Sequence, residues 1–117
     1  MLDNGTPELE CQQFGCPIDM FRVIADRQTE FDAARTLMWP AAWVVFRGQD
    51  ALCEISMAKL MSSETYAKMT NMGMQISGAH GYGMEFDMQR HFRDSHASAI
   101  AAGSSQIQRG IIARLMA

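Results

Sequence analysis

The chain has 117 residues, which is the length of one domain, and a formal net charge of −3 at neutral pH. No basic stripe runs through it, so the composition argues against a nucleic-acid partner. The longest apolar run, residues 41–46, is far too short to cross a bilayer, and the N-terminus is polar and acidic. We therefore expect no membrane segment, no signal peptide and a cytoplasmic location.

The cysteines do not form a metal-binding pattern. There are three of them, an odd number, and only Cys11 and Cys16 lie near each other. A structural zinc site needs four close ligands, and no second pair is present in the sequence. We expect reduced thiols and no metal ion.

Residues 1–13 show no apolar period, which indicates a leader before a domain at residues 14–117. From about residue 18 to 47, apolar residues recur every three or four positions and predict a long helix. Pro40 lacks the backbone N–H that a helix interior needs, so we expect a kink at residues 36–39. Gly48 then follows as a helix-ending glycine.

The rest of the chain is also predicted to be helical. Residues 50–77 predict a second long helix with Asp50 as its N-cap, and the glycines at residues 78–83 predict a loop. A short third helix is predicted over residues 84–92, followed by a connection of small residues at 95–103. Ser104 or Ser105 then begins a last helix that ends near residue 116. No segment alternates with period two, so the sequence predicts an all-α fold.

Two helices of about 30 residues would each be about 40–45 Å long and, with a short connection, would lie antiparallel. We expect Trp39, Trp43 and Tyr82 to pack within the resulting up-and-down bundle rather than to form a stacking set. Two long and two short helices leave one side of such a bundle open, which exposes an apolar surface that favours association. The sequence therefore predicts a homo-oligomer, either a dimer or a tetramer.

Several short motifs follow one another in a specific order. Phe14-Gly15 forms a turn, Gln75 to Tyr82 reads QISGAHGY, Arg93-Asp94 follows the short helix, and Gly103 to Arg109 reads GSSQIQR. In this order and spacing they resemble the C-terminal helical domain of the FAD-dependent acyl-CoA dehydrogenases. The resemblance implies a four-helix bundle whose first helix is missing or truncated in this chain.

The resemblance also implies contacts with FAD. The positions that match flavin-contacting residues of the family are Phe14, Gln75, Gly78, Ala79, Ser104 and Gln106. In the family, the glycine-rich loop approaches the ADP half of FAD bound mostly by a neighbouring subunit, and glycines let backbone N–H groups come close to phosphate. Two positions depart from the pattern, because Cys11 replaces an arginine and Ala79 replaces a glycine.

The catalytic base of the family is absent from its usual position. Many members carry a glutamate there that removes the α-proton of the acyl-CoA, whereas this chain has Ala102, which cannot accept a proton. We therefore assign no catalytic residue. Two functions remain open: the C-terminal domain of an oxidoreductase of fatty acid oxidation, inactive in isolation, or a non-catalytic assembly module that joins a catalytic dehydrogenase subunit. Whether the chain is itself an enzyme is left open.

Overall fold

The computed structural model describes the backbone of residues 17–117 and the side chains of residues 20–117. These residues form four helices, namely α1 (Pro17–Phe46), α2 (Leu52–Tyr82), α3 (Met88–Ile100) and α4 (Ser105–Met116). No strand occurs in this part of the chain, and the all-α prediction is confirmed. The predicted leader at residues 1–13 lies outside the described residues.

Helix α1 lies antiparallel to α2, as the sequence predicts. Ile24, near the start of α1, lines a surface cavity together with Ile76, near the end of α2. Ala41, near the end of α1, lines another with Ile55, near the start of α2. Between these ends, Lys68 forms an ion pair with Glu30 at 3.6 Å.

Helices α3 and α4 lie against α2 on another of its faces. Helix α3 returns along α2, because the Thr70 hydroxyl donates to Ser95 Oγ at 2.7 Å and Lys59 Nζ donates to the carbonyl of Gly103 at 2.7 Å. Helix α4 then runs forward again, and Arg109 pairs with Glu64 one turn further along α2. Helix α2 is therefore the central element that all the other helices contact.

The connection between the long helices is set by local hydrogen bonds. Gly48, at φ 69°, donates its N–H to the carbonyl of Val45 at 2.9 Å, and Gln49 donates to that of Val44 at 3.2 Å. This Schellman motif confirms Gly48 as the residue that ends α1. Helix α1 runs through Pro40 to Phe46, and the kink expected before this proline stays a prediction.

The start of α2 differs by one residue from the sequence prediction. Ala51 occupies the N-cap position and makes no capping bond through its side chain. Asp50, one residue earlier, accepts a hydrogen bond on Oδ1 from the N–H of Leu52 at 3.1 Å. The carboxylate of Asp50 therefore satisfies a free N–H of the first turn from just outside the helix.

The predicted end of α2 and the predicted ends of α3 are wrong. The helical backbone breaks at Gly78, with φ 54° and ψ −140°, but a further helical turn continues to Tyr82. Helix α3 begins at Met88 rather than near residue 84, and it continues to Ile100 through the small residues expected to form a connection. The reason is packing: the fully buried Ser95 lets α3 approach α2 closely, and its hydroxyl donates to the carbonyl of Phe92 at 2.7 Å.

The interior contains small side chains. In the described part of the chain, the buried apolar residues are Ala34, Ala41, Ala51 and Ala58. Trp39, Trp43 and Tyr82 are 68%, 59% and 79% exposed, so the expectation that they pack inside the bundle is wrong. The Cα radius of gyration is 19.4 Å, whereas a compact domain of about this length has about 13 Å. Large apolar side chains consequently lie on the outside, and the bundle is open.

The buried contact between α2 and α3 leads to a prediction for Ser95. We expect Ser95→Leu to lower the free energy of unfolding by about 2–3 kcal/mol, because the larger side chain overpacks the contact and removes the hydrogen bond to Thr70. Ala97→Leu introduces the same side chain at an exposed position of α3 and is expected to change stability by less than about 0.5 kcal/mol. Urea denaturation followed by circular dichroism compares the two, and equal losses would contradict this account of the contact.

Candidate functional site

The first group of candidate residues lies at the end of α2. Gln75, Gly78 and Ala79 are all exposed. A Cβ added to Gly78 would meet nothing within 4 Å, so the backbone here is open to solvent. Because the φ of 54° and ψ of −140° at Gly78 fit glycine alone, the chain turns here with its peptide groups accessible to an approaching phosphate.

The second group lies at the start of α4. Ser104 is the N-cap and accepts a hydrogen bond on Oγ from the N–H of Ile107 at 3.4 Å, which confirms the prediction that a serine caps this helix. Gln106 is exposed on the first turn. The positive end of the helix dipole and an amide side chain therefore face outward together.

The loop before α4 has an unusual backbone. Ala102 has φ 55° and Gly103 has φ 88°. Among the described residues, Ala102 is the one residue other than glycine with a positive φ. This left-handed conformation costs an alanine about 1–2 kcal/mol. The strained residue is the one that stands at the family's glutamate position, and its methyl group offers no proton acceptor.

Two side chains hold this strained loop, and sequence reasoning did not select either of them. Gln108 is 7% exposed, and its Nε2 donates to the carbonyl of Ala102 at 3.1 Å and to that of Gly103 at 3.5 Å. Lys59 Nζ donates to the same Gly103 carbonyl at 2.7 Å. The available signal was that Lys59 is the one charged residue in the apolar stretch between Glu54 and Glu64.

The structure does not bring the two groups together. Lys59 of α2 contacts Gly103, which lies just before the start of α4, and Gln75 lies 16 residues further along α2. At 1.5 Å per residue, this separation is about 24 Å. The candidate residues therefore form two exposed sites at different heights of the bundle. Phe14, the remaining candidate, lies outside the described residues.

Other kinds of site find no support within residues 17–117. No helix there is long and apolar enough to span a bilayer. No cluster of three or more histidine, cysteine, aspartate or glutamate side chains in that range has the proximity needed to hold a metal ion.

The loop at Ala102 and Gly103, which Lys59 and Gln108 hold in place, leads to two stability predictions of opposite sign. Gly103→Ala is expected to destabilise the fold by about 1–3 kcal/mol, since its φ is 88° and its Cβ would lie 2.8 Å from Gln108 Nε2. Ala102→Gly, the neighbouring change, is expected to stabilise it by about 0.5–1 kcal/mol, because glycine adopts the left-handed conformation without strain. Denaturation midpoints measure both, and a shift of the same sign in both variants would contradict the geometry.

Comparison with known proteins places the chain in a family. The sequence profile of the family described as "Acyl-CoA dehydrogenase, C-terminal domain" matches residues 12–117. A probable acyl-CoA dehydrogenase YngJ of Bacillus subtilis is 38% identical over 109 residues, which cover 90% of this chain and 29% of that protein. A 3-sulfinopropanoyl-CoA desulfinase of Cupriavidus necator is 39% identical over 111 residues, covering 89% of this chain and 27% of the relative.

The solved structures agree with the sequence comparison. One described as "FAD complex of PigA" superimposes with a TM-score of 0.76 at 30% identity, and the match covers 89% of this chain and 28% of that one. The chain thus spans less than a third of the length of the relatives that it matches. Because the family profile covers all of residues 17–117 together with the motifs before and within them, this chain belongs to the acyl-CoA dehydrogenase family as its C-terminal helical domain.

Proposed function

We propose that this chain supplies the flavin-contacting and oligomer-forming C-terminal part of an FAD-dependent acyl-CoA dehydrogenase, and that it does not oxidise an acyl-CoA by itself. The observation that carries this proposal is the match of residues 12–117 to the family's C-terminal domain. The domain boundary at residue 14, the homo-oligomer and the cytoplasmic location are part of the same proposal. The acyl substrate is left unassigned, because the relatives include both a dehydrogenase and a desulfinase.

The residues at the end of α2 fit the phosphate-rich part of FAD. Gly78 is exposed, and its backbone is unobstructed where a Cβ would lie. The exposed amide of Gln75 lies one turn earlier on the same helix and can donate a hydrogen bond. Ala79 adds a methyl group where relatives carry glycine, yet it is exposed and leaves the approach to the Gly78 peptide open.

The start of α4 fits the flavin ring. The free N–H groups of its first turn and the Gln106 amide supply donors for carbonyl oxygens and ring nitrogens. Ser104 keeps the first turn in place through its capping bond to Ile107. When bound, FAD supplies the chemistry of hydride acceptance from the substrate. This chain's residues hold and orient the cofactor, and Ala102 cannot take the accompanying proton.

The distance between the two groups favours an assembly. Along α2, the level of Ser104 and Gln106 lies about 24 Å from Gln75 and further from Gly78 and Ala79. In the family, the segment that corresponds to the end of α2 approaches FAD bound mostly by a neighbouring subunit. The separation is consistent with one domain that serves two flavin molecules, one through each end, and this arrangement requires a second subunit.

A non-catalytic assembly module, or a partner of a catalytic dehydrogenase subunit, is the second candidate. The observation that favours it is Ala102, which keeps a strained backbone at the family's base position but lacks the carboxylate. Absorbance separates the two candidates. A peak near 450 nm in the purified protein would support flavin contact, and a colourless protein that FAD does not bind would support the module.

The lack of a base leads to a prediction of inactivity. The chain, mixed with octanoyl-CoA, FAD and an artificial electron acceptor, is expected to give no turnover. Ala102→Glu is expected to remain inactive, because the carboxylate alone does not supply the rest of a substrate pocket. Steady reduction of the acceptor by either protein would contradict the proposal.

The proposed flavin contact at α4 leads to a prediction about affinity. Gln106→Ala removes one exposed hydrogen-bonding side chain, so we expect FAD to bind about fivefold more weakly, corresponding to about 1 kcal/mol. Arg114→Ala changes an exposed residue at the other end of the same helix and serves as the control. Quenching of FAD fluorescence measures both affinities, and equal changes would argue against a contact at Gln106.

A further inference from the structure

A cation holds the loop before α4. Lys59 of α2 is partly buried, and its Nζ donates a hydrogen bond to the carbonyl of Gly103 at 2.7 Å. Its side chain lines a surface cavity together with the buried residues Ala41 and Ala58. An ammonium group has three donors. The carbonyl of Gly103 is the one acceptor that the structure gives it within residues 20–117.

No carboxylate contacts this cation in the described part of the chain. The ion pairs found there join other residues, and Lys59 takes part in none of them. Its nearest acidic neighbours along α2 are Glu54 and Glu64, and Glu64 pairs with Arg109. The positive charge of Lys59 therefore adds to the electrostatic potential at the start of α4 without a contacting counter-charge.

The segment around the start of α4 is itself electropositive. Residues 95–117 contain no aspartate or glutamate and two arginines, although the whole chain has a net charge of −3. The first turn of α4 also carries the positive end of the helix dipole. Ser104 caps the N–H of Ile107, and the other N–H groups of this turn have no partner within the helix. Free donors and positive potential therefore coincide beside the exposed Gln106.

Support of the loop does not by itself require a charge at position 59. Gln108 is neutral and 7% exposed, and it already donates to the carbonyls of Ala102 and Gly103 at 3.1 and 3.5 Å. A cation beside the positive end of a helix dipole is unfavourable, because like charges repel. A neutral donor would hold the same carbonyl without this repulsion. The arrangement becomes favourable when an electron-rich group lies at the start of α4.

We propose that Lys59 is a positioning residue for FAD: through the Gly103 carbonyl it fixes the first turn of α4, and its charge makes this turn bind reduced FAD more tightly than oxidised FAD. The proposal rests on the proposed function, in which the start of α4 contacts the flavin ring. The oxidised ring is neutral, whereas the reduced ring is negative once N1 has lost its proton. Charged groups near a flavin tune its electronics, and a cation favours the negative form.

Three variants separate the charge of Lys59 from its support of the loop. Lys59→Met removes the charge and the donor but keeps a long, flexible side chain, and Lys59→Arg keeps both. Gln108→Met removes the neutral donor to the same loop and leaves the charge in place, so it is the matched control for a purely supporting role. Circular dichroism shows whether each variant keeps its helix content.

The reduction potential of bound FAD tests the effect of the charge. In Lys59→Met, reduced FAD is expected to bind about fivefold more weakly relative to oxidised FAD, which lowers the two-electron potential by about 20 mV. Lys59→Arg is expected to retain the wild-type potential, and Gln108→Met is expected to weaken both forms equally and leave the potential unchanged. Anaerobic reductive titration measures the potentials. A Lys59→Met potential equal to that of the wild type, or an equal shift in Gln108→Met, would overturn the proposal.

A thiol reporter tests the same charge without FAD. In a background with Cys11, Cys16 and Cys53 replaced by serine, Q106C places a thiol on the first turn of α4, where the positive potential lowers its pKa. Adding Lys59→Met is expected to raise that pKa, because the thiolate loses a favourable interaction, whereas Lys59→Arg and Gln108→Met are expected to leave it unchanged. The pH dependence of alkylation by iodoacetamide measures the pKa. The same pKa with and without Lys59→Met would overturn the charge effect.

The outcomes distinguish this proposal from the proposed function. A wild-type chain that binds no FAD, while Lys59→Met raises the thiol pKa, would count against the proposed function and support the electrostatic role of Lys59. Bound FAD with the same potential in the wild type and in Lys59→Met would count against the role of Lys59 alone.

Discussion

The close approach of helices through small side chains is the constraint on which this structure depends. Helix α2 contacts each of the other helices, and it does so through residues such as Ser56, Ala58, Ser63 and Thr70. Small residues let helix backbones come close and make many weak contacts, but each buries little apolar area. The domain therefore has well-defined helix contacts and a limited core, and many of its large apolar side chains are exposed.

Periodicity and helix-ending residues predicted the helices of this chain well, because those signals are local. Gly48 and Ser104 act where the sequence placed them, through hydrogen bonds within a few residues. The extent of α3 was not predictable in the same way. Its second half contains small residues that suit a loop equally well, and in the structure they are helical where the buried Ser95 accepts a hydrogen bond from Thr70 of α2. The exposure of Trp39 and Trp43 likewise depends on which neighbours are present, which periodicity does not report.

The candidate site shows the same division between local and long-range information. The sequence offered the glycine segment and the start of α4 as candidates, but it gave no indication that they lie at different heights along α2. The hydrogen bonds that hold the loop at Ala102 were also missed, because Lys59 lies 44 residues before Gly103 in the chain and Gln108 donates back to the loop from the first turn of α4. These hydrogen bonds hold Ala102 in a strained backbone conformation, although its side chain cannot accept a proton. Hydrogen bonds within the domain therefore maintain the geometry of this loop.

Because α1 packs mainly against α2, the proposed association of copies is expected to stabilise α1 more than α2, α3 and α4, which support one another within one chain. Amide hydrogen exchange measured at several protein concentrations tests it most directly, because exchange reports local opening of each helix. The account predicts that protection of α1 falls on dilution while protection at the centre of α2 changes much less. Protection of α1 that is independent of concentration and equal to that of α2 would contradict it.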